Sequence, residues 1–154
     1  MCIRDRLETF VTLSPAPGLS LWLAGEARRD PDLPAATAMA LINSNGGRDD
    51  PKREADLEAL LLPLAAQYFV DARRGDGQPP DPVARFHLGN GARLLDIHWL
   101  GDTSEKGLAQ SFGIMVNYHY DLDKIEENHE AYATTGKVTA SRKVRNLAAT
   151  ARKG

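Results

Sequence analysis

GIMVNYHY, Gly113 to Tyr120, is the clearest strand in the chain. Its β-branched and aromatic residues favour an extended backbone, and Tyr118 and Tyr120, two apart, share a face. Immediately after it, Asp121-Leu122-Asp123 reads as a turn that caps a helix from Asp123 to Thr134. Immediately before it, Thr103 or Ser104 can cap a short helix ending near Gln110. Ala92 to Leu100, with Leu94, Ile97 and Trp99 apolar, reads as another strand. Strands alternating with helices predict an α+β fold in a single domain.

Further from that centre, the segment Leu7 to Leu13 is rich in β-branched and apolar residues and stops at Ser14-Pro15. It reads as a buried strand entering a turn, because Pro15 turns Ser14 away from helical angles. Gly18 to Ala27 predicts a short helix with Leu19, Trp22 and Leu23 on one side, and Asn43 to Pro51 a polar loop around Asn45-Gly46-Gly47. Leu57, Leu60, Leu61, Leu64, Ala65, Tyr68 and Phe69 give Glu54 to Arg74 helical spacing. Pro63 inside it predicts a kink or two shorter helices. A loop from Gly75 to Pro80 leads to Asp81-Pro82, an N-cap followed by proline at the first helical position. That helix must end at Gly89-Asn90-Gly91, where Asn90 is the expected left-handed residue. Val138 to Arg152 predicts a last helix ending in cations.

At 154 residues, 42% of them hydrophobic and 26% charged, the chain suits one globular domain with a core of its own. A net charge of -2 gives no general attraction to nucleic acid or anionic lipid, so neither partner is expected. Cys2 is the only cysteine, which excludes an internal disulfide and a multi-cysteine metal cluster. No apolar run reaches the roughly 20 residues that span a bilayer, and MCIRDR has no apolar signal core. The localisation expected from these features is cytoplasmic.

Chemistry-bearing residues are few. His87 stands between Phe86 and Leu88 at a helix end, and taken alone it reads as a core histidine as readily as a reactive one. Ser14, taken alone, is a turn serine. His98, His119 and His129 invite a metal reading with Asp121, Asp123, Glu126 and Glu127, but no HExxH or EF-hand spacing is present. Arg142, Lys143, Arg145, Arg152 and Lys153 could meet the phosphates of a ligand or of RNA; a solvated helix face explains them more simply.

Two separated motifs and a long block tie these residues together. FVTLSPAPG (Phe10 to Gly18), FHLGNGA (Phe86 to Ala92) and the run from Ile97 to Glu130 resemble, in order and approximate spacing, the C-terminal catalytic domain of malonyl-CoA decarboxylase. The resemblance implies a GNAT-like mixed sheet flanked by helices, with the first part of that domain missing. It further implies a helical domain upstream that mediates homo-oligomerisation of the full-length protein, and a Gly-rich CoA-contacting loop that has no counterpart here. Residues 7–154 are then the C-terminal part of the catalytic domain. MCIRDR, residues 1–6, does not continue the family pattern and is expected to be unrelated to it.

Carried onto this chain, the family's reacting pair is Ser14 and His87, and its substrate is malonyl-CoA, converted to acetyl-CoA and carbon dioxide. An imidazole suits delivery of a proton to carbon because its ordinary pKa lies near neutrality. A hydroxyl on a rigid turn suits orientation of the departing carboxylate. The family describes the histidine as proton donor and the serine as proton acceptor. No cofactor is expected, since the thioester itself is the electron sink. Asn90 and Asn117 are further candidates for contacting the thioester carbonyl or the carboxylate, while Tyr118 and Tyr120 read as core or rim aromatics. Two rival readings stand beside this one: a GNAT-like acyltransferase acting on another acyl-CoA, and an inactive fragment that serves only as a binding domain.

Overall fold

The computed structural model describes residues 9–43 and 50–153. Residues 1–6, Leu7 at the expected start of the first strand, and Asn45-Gly46-Gly47 of the expected loop lie outside the described residues.

The architecture is α+β: a three-stranded antiparallel sheet in the order β1-β3-β2, with helices packed against it. Strand β3 (Met115–Asp121) is central because its alternation supplies one fully apolar face. Val116 and Tyr118 are wholly buried and Tyr120 is nearly so, while Met115, Asn117 and His119 turn the other way and stay half-buried. Strand β2 (Arg93–His98) pairs on one side of it, with a shift of register between Leu94 and Asp96. That irregularity lets both Leu94 and Ile97 face the core although they are three positions apart, an odd spacing that a regular strand would send to opposite faces. The outer edge of β2 is closed by residues 139–141, where Leu94 N–H donates to Thr139 O (2.9 Å) and Ser141 N–H to Leu94 O (2.8 Å).

Strand β1 (Thr9–Pro15) pairs with the other side of β3. The expectation of a buried strand is not met: Phe10, Val11 and Leu13 are 49%, 50% and 55% exposed. The cause is its position, since β1 is an edge that pairs with no second strand among the described residues. An edge also tolerates Pro15 as its last residue, where the missing N–H interrupts no ladder.

The helices are α1 (Leu19–Arg29), α2 (Pro34–Ile42), α3 (Pro51–Val70), α4 (Pro82–Gly89), α5 (Glu105–Ser111), α6 (Ile125–Thr135) and α7 (Arg142–Lys153). α3 runs through Pro63 as one helix, so of the two expected outcomes, a kink or two shorter helices, the division into two does not occur. An internal proline costs about 3 kcal/mol. Leu57 and Leu61 before it and Leu64, Tyr68 and Phe69 after it are all buried, each contributing about 1.5–3 kcal/mol, so core packing on both sides outweighs the proline. α2 was not anticipated; PAATAMALI is apolar except for Thr37 and shows no polar face for a periodicity argument to find. Its last carbonyls are satisfied by the buried Arg53, whose guanidinium donates to Leu41 O and Ile42 O at 2.8–3.2 Å. α7 buries Val144 and Ala148 and packs along α3, with Arg152 paired to Asp71 (2.6 Å) and Lys143 to Asp96 (3.0 Å). Two of the five cations of its expected solvated face are thus engaged.

Candidate functional site

Asp81 starts the helix that carries the site. Its side chain accepts from Val83 N–H (2.9 Å) and Ala84 N–H (3.1 Å), satisfying the free donors of the first turn of α4. Pro82 follows at the first helical position, as the sequence predicts. The helix ends at Asn90, whose φ of -94° is not left-handed; the positive φ of 89° belongs to Gly91. Asn90 falls short of the expected conformation because the glycine beside it takes that backbone at lower cost. A Cβ on Gly91 would also lie 2.4 Å from Ile125 O.

α4 lays His87 over the sheet face formed by Tyr118 and Tyr120. The imidazole stacks on Tyr118, ring centroids 4.3 Å apart and planes 19° from parallel. Its Nδ1 is 2.6 Å from the Tyr120 hydroxyl, and its Nε2 is 3.1 Å from Ser14 Oγ. Ser14, 6% exposed, occupies the same face because the register sets it opposite Val116, with Thr12 opposite Tyr118 and Phe10 opposite Tyr120. Thr12 Oγ1 lies 3.2 Å from Ser14 Oγ, and Phe10 stacks on Tyr120 at 4.6 Å. A continuous chain of groups able to pass a proton results: Thr12, Ser14, His87, Tyr120.

Burial lowers the His87 pKa, which favours the neutral ring, and raises that of Tyr120, which keeps it a phenol. A neutral imidazole between two hydroxyls donates through one nitrogen and accepts through the other. When the Tyr120 O–H donates to Nδ1, the proton of His87 resides on Nε2, facing Ser14. The opposite tautomer makes Nε2 a base toward the Ser14 hydroxyl. The arrangement can therefore deliver or withdraw one proton at the Ser14 end.

Of the residues singled out from sequence, the structure brings Ser14 and His87 together across 73 positions. Asn90 is exposed at the end of α4, where its backbone N–H donates to Phe86 O and His87 O. Asn117 pairs with Leu13, so it points to the opposite face of the sheet from Ser14. There its Nδ2 donates to Thr12 O (3.0 Å) and its Oδ1 accepts from His98 Nε2–H. His119 on the same face accepts at Nδ1 from Arg93 (2.9 Å) and donates from Nε2 to Thr9. His129 Nδ1 meets Gly89 O at 2.7 Å. These three histidines are thus apart from one another's partners, and among the described residues no three His, Cys, Asp or Glu side chains gather as a metal site. Asp121 does form the expected turn, its Oδ1 accepting from Asp123 N–H (3.0 Å).

Sequence reasoning did not place Tyr120 and Thr12 in the site. Their signal was parity: Thr12 is two residues from Ser14, and Tyr120 two from Tyr118. Parity gives a shared face but not the helix that covers it.

Comparison with known proteins supplies the relatives. The family of the malonyl-CoA decarboxylase C-terminal domain matches residues 4–154. The mitochondrial malonyl-CoA decarboxylase of Anser anser anser is 34% identical over 161 residues, which cover 90% of this chain and 32% of that protein. Its counterpart in Rattus norvegicus is 31% identical over 167 residues, covering 93% and 33%. The crystal structure of malonyl-CoA decarboxylase from Rhodopseudomonas palustris matches with a TM-score of 0.83 at 46% identity, over 94% of this chain and 35% of that one. That from Cupriavidus metallidurans matches with 0.71 at 36%, over 94% and 40%. The chain spans about a third of the length of the curated relatives it matches. The goose and rat proteins are named as mitochondrial, which overturns the expectation of a cytoplasmic protein drawn from composition. Among the described residues, no helix is long and apolar enough to cross a membrane.

Proposed function

The chain belongs to the malonyl-CoA decarboxylase family, and on that premise we propose that it carries the reacting pair for decarboxylation of malonyl-CoA to acetyl-CoA and carbon dioxide. The observation that supports this reading is the hydrogen-bonded sequence Ser14–His87–Tyr120 in a half-buried site. In this reading the bond between the α-carbon and the malonyl carboxylate breaks, and its electron pair passes into the thioester as an enolate. Carbon dioxide leaves. The α-carbon then takes one proton from His87 Nε2 while the ring regains one at Nδ1 from the Tyr120 hydroxyl, which is reprotonated from solvent before the next turnover.

Ser14 either orients the carboxylate through its hydroxyl or accepts a proton. It is suited to the first task because Pro15 and the β3 pairing fix its backbone. Tyr120, as a donor to Nδ1, selects the tautomer in which Nε2 holds the proton to be given. The same reading takes the sheet as part of a GNAT-like domain, assigns the reaction to fatty-acid and malonate metabolism, and makes the full-length protein a homo-oligomer.

Carbon dioxide release from malonyl-CoA tests the proposal. The assay compares the purified chain with a chimera in which residues 9–153 replace the matching segment of the Rhodopseudomonas palustris relative. The chimera should be active, and His87→Ala should reduce its turnover by roughly 100-fold to 10,000-fold, the usual worth of a positioned proton donor. An active chimera indifferent to His87 would overturn the assignment. Transfer of the acyl group to an added amine, without carbon dioxide release, would point to the acyltransferase chemistry instead.

A further inference from the structure

Asp81 is 1% exposed, the most buried acidic residue among those described, and the proposed chemistry gives it no task. Its Oδ1 caps α4 through Val83 and Ala84. Its Oδ2 faces elsewhere, accepting from the Tyr68 hydroxyl at 3.1 Å and from Gly18 N–H at 3.5 Å. Gly18 ends the turn that begins at Ser14, and α4 carries His87. We propose that Asp81 is a positioning residue for the Ser14–His87 pair, one carboxylate oxygen holding the helix that bears the histidine and the other holding the turn that bears the serine.

Capping alone does not explain a carboxylate here. Serine, threonine or asparagine caps a helix about as well. Burying a carboxylate is costly unless its oxygens are hydrogen-bonded, and burial indeed raises the Asp81 pKa against the pull of its donors. Asparagine would turn an NH2 group toward the Gly18 N–H, and serine has no second oxygen. Only the doubly engaged carboxylate serves both elements.

Both arms from this pivot are stiff. Between Gly18 and Ser14 stand Pro17, the fully buried Ala16, and Pro15, and each proline ring holds its φ near -65°. On the other side, His87 lies six positions along the helix from Asp81, a rise of about 9 Å. A pivot with two stiff arms sets the separation of their ends, here the 3.1 Å between Ser14 Oγ and His87 Nε2. This also accounts for the glycine that closes the LSPAPG motif. Gly18 has a negative φ of -95°, so conformation does not demand glycine; a Cβ there would lie 2.5 Å from the Tyr68 hydroxyl oxygen.

The inference rests on Ser14 and His87 being the reacting pair, yet its test reads geometry rather than turnover, so the two can fail separately. The measurement is NMR of the chain labelled with 15N-histidine, following the His87 ring nitrogens through a pH titration. In the parent chain one tautomer should dominate, with a midpoint below the ordinary value of about 6.5. Asp81→Ser keeps a cap and removes the second oxygen. It should mix the His87 tautomers and move the midpoint toward 6.5, whereas a folded Asp81→Ser chain with His87 unchanged overturns the proposal. If that variant does not fold, Gly18→Ala decides. Its Cβ should displace the turn and perturb His87 likewise, and adding Tyr68→Phe, which deletes the colliding oxygen, should restore most of the parent signal. A Gly18→Ala chain with an unperturbed His87, or no recovery in the double variant, again overturns it.

Discussion

Tyr120 holds His87 by Nδ1 at 2.6 Å, while Tyr118, two residues earlier on the same strand, lies flat beneath the same ring. One tyrosine thus controls the protonation pattern of the imidazole and the other its plane. Neither acts through formal charge.

Removing the Tyr120 hydroxyl should separate these roles. Tyr120→Phe keeps the stack with Phe10 and loses only the bond to Nδ1. That bond is worth about 1 kcal/mol, so kcat in the chimera should fall by roughly 5-fold to 10-fold with KM unchanged. The 15N spectrum of His87 should show both tautomers in place of one. Unchanged kcat with unchanged tautomers would remove Tyr120 from the mechanism.

His87 also makes stability depend on pH in a definite direction. Burial holds its folded-state pKa below the ordinary value, so below that value the unfolded chain binds the proton first. The contribution is present above about pH 6.5 and is lost as pH falls through the folded pKa. Denaturant midpoints for the chain and for His87→Gln should therefore converge or cross on acidification, with the slopes differing only in that window. The other three histidines are common to both chains and cancel. A His87 contribution that grows as pH falls would mean the imidazolium is the favoured form.

Tyr118 carries a hydroxyl that is buried without a hydrogen-bond partner among the described residues. Burial and the nearby Asp81 push its pKa well up, so it stays a phenol. Leaving such a group unpaired costs about 1–3 kcal/mol. Tyr118→Phe should accordingly stabilise the chain by roughly 1 kcal/mol and keep the stack beneath His87, as measured by urea unfolding. Destabilisation would show that the hydroxyl has a partner in solution.

The elements most legible in the sequence were those specified locally. Asp81-Pro82 and Ser104 carry their helix starts in their own side chains, and the β3 alternation is visible in seven consecutive residues. Ser14 and His87 were found through motif resemblance, since neither has a local signature. What escaped depends on non-local pairing. Asn117 was nominated by residue type, but the register that sets it opposite Leu13, and so on the wrong face for Ser14, comes from strands about a hundred residues apart. That Pro63 does not divide α3 was hidden for the same reason: the penalty is local, and the burial that offsets it is supplied by elements elsewhere in the chain.

The edge position of β1 has a consequence for solution behaviour. Val11 and Leu13 project from a strand whose outer backbone groups pair with no other strand among the described residues, which makes a template for association between chains. Leu13→Lys places a charge on that edge, on the face away from Ser14. Because Leu13 is 55% exposed, unfolding free energy should change by no more than about 0.5 kcal/mol. Light scattering at rising concentration should show a later onset of association than for the parent, with the His87 titration unaltered. Association that is indifferent to Leu13→Lys would mean that the chains meet through another surface, with Leu21 and Phe86, 78% and 64% exposed, the next side chains to test.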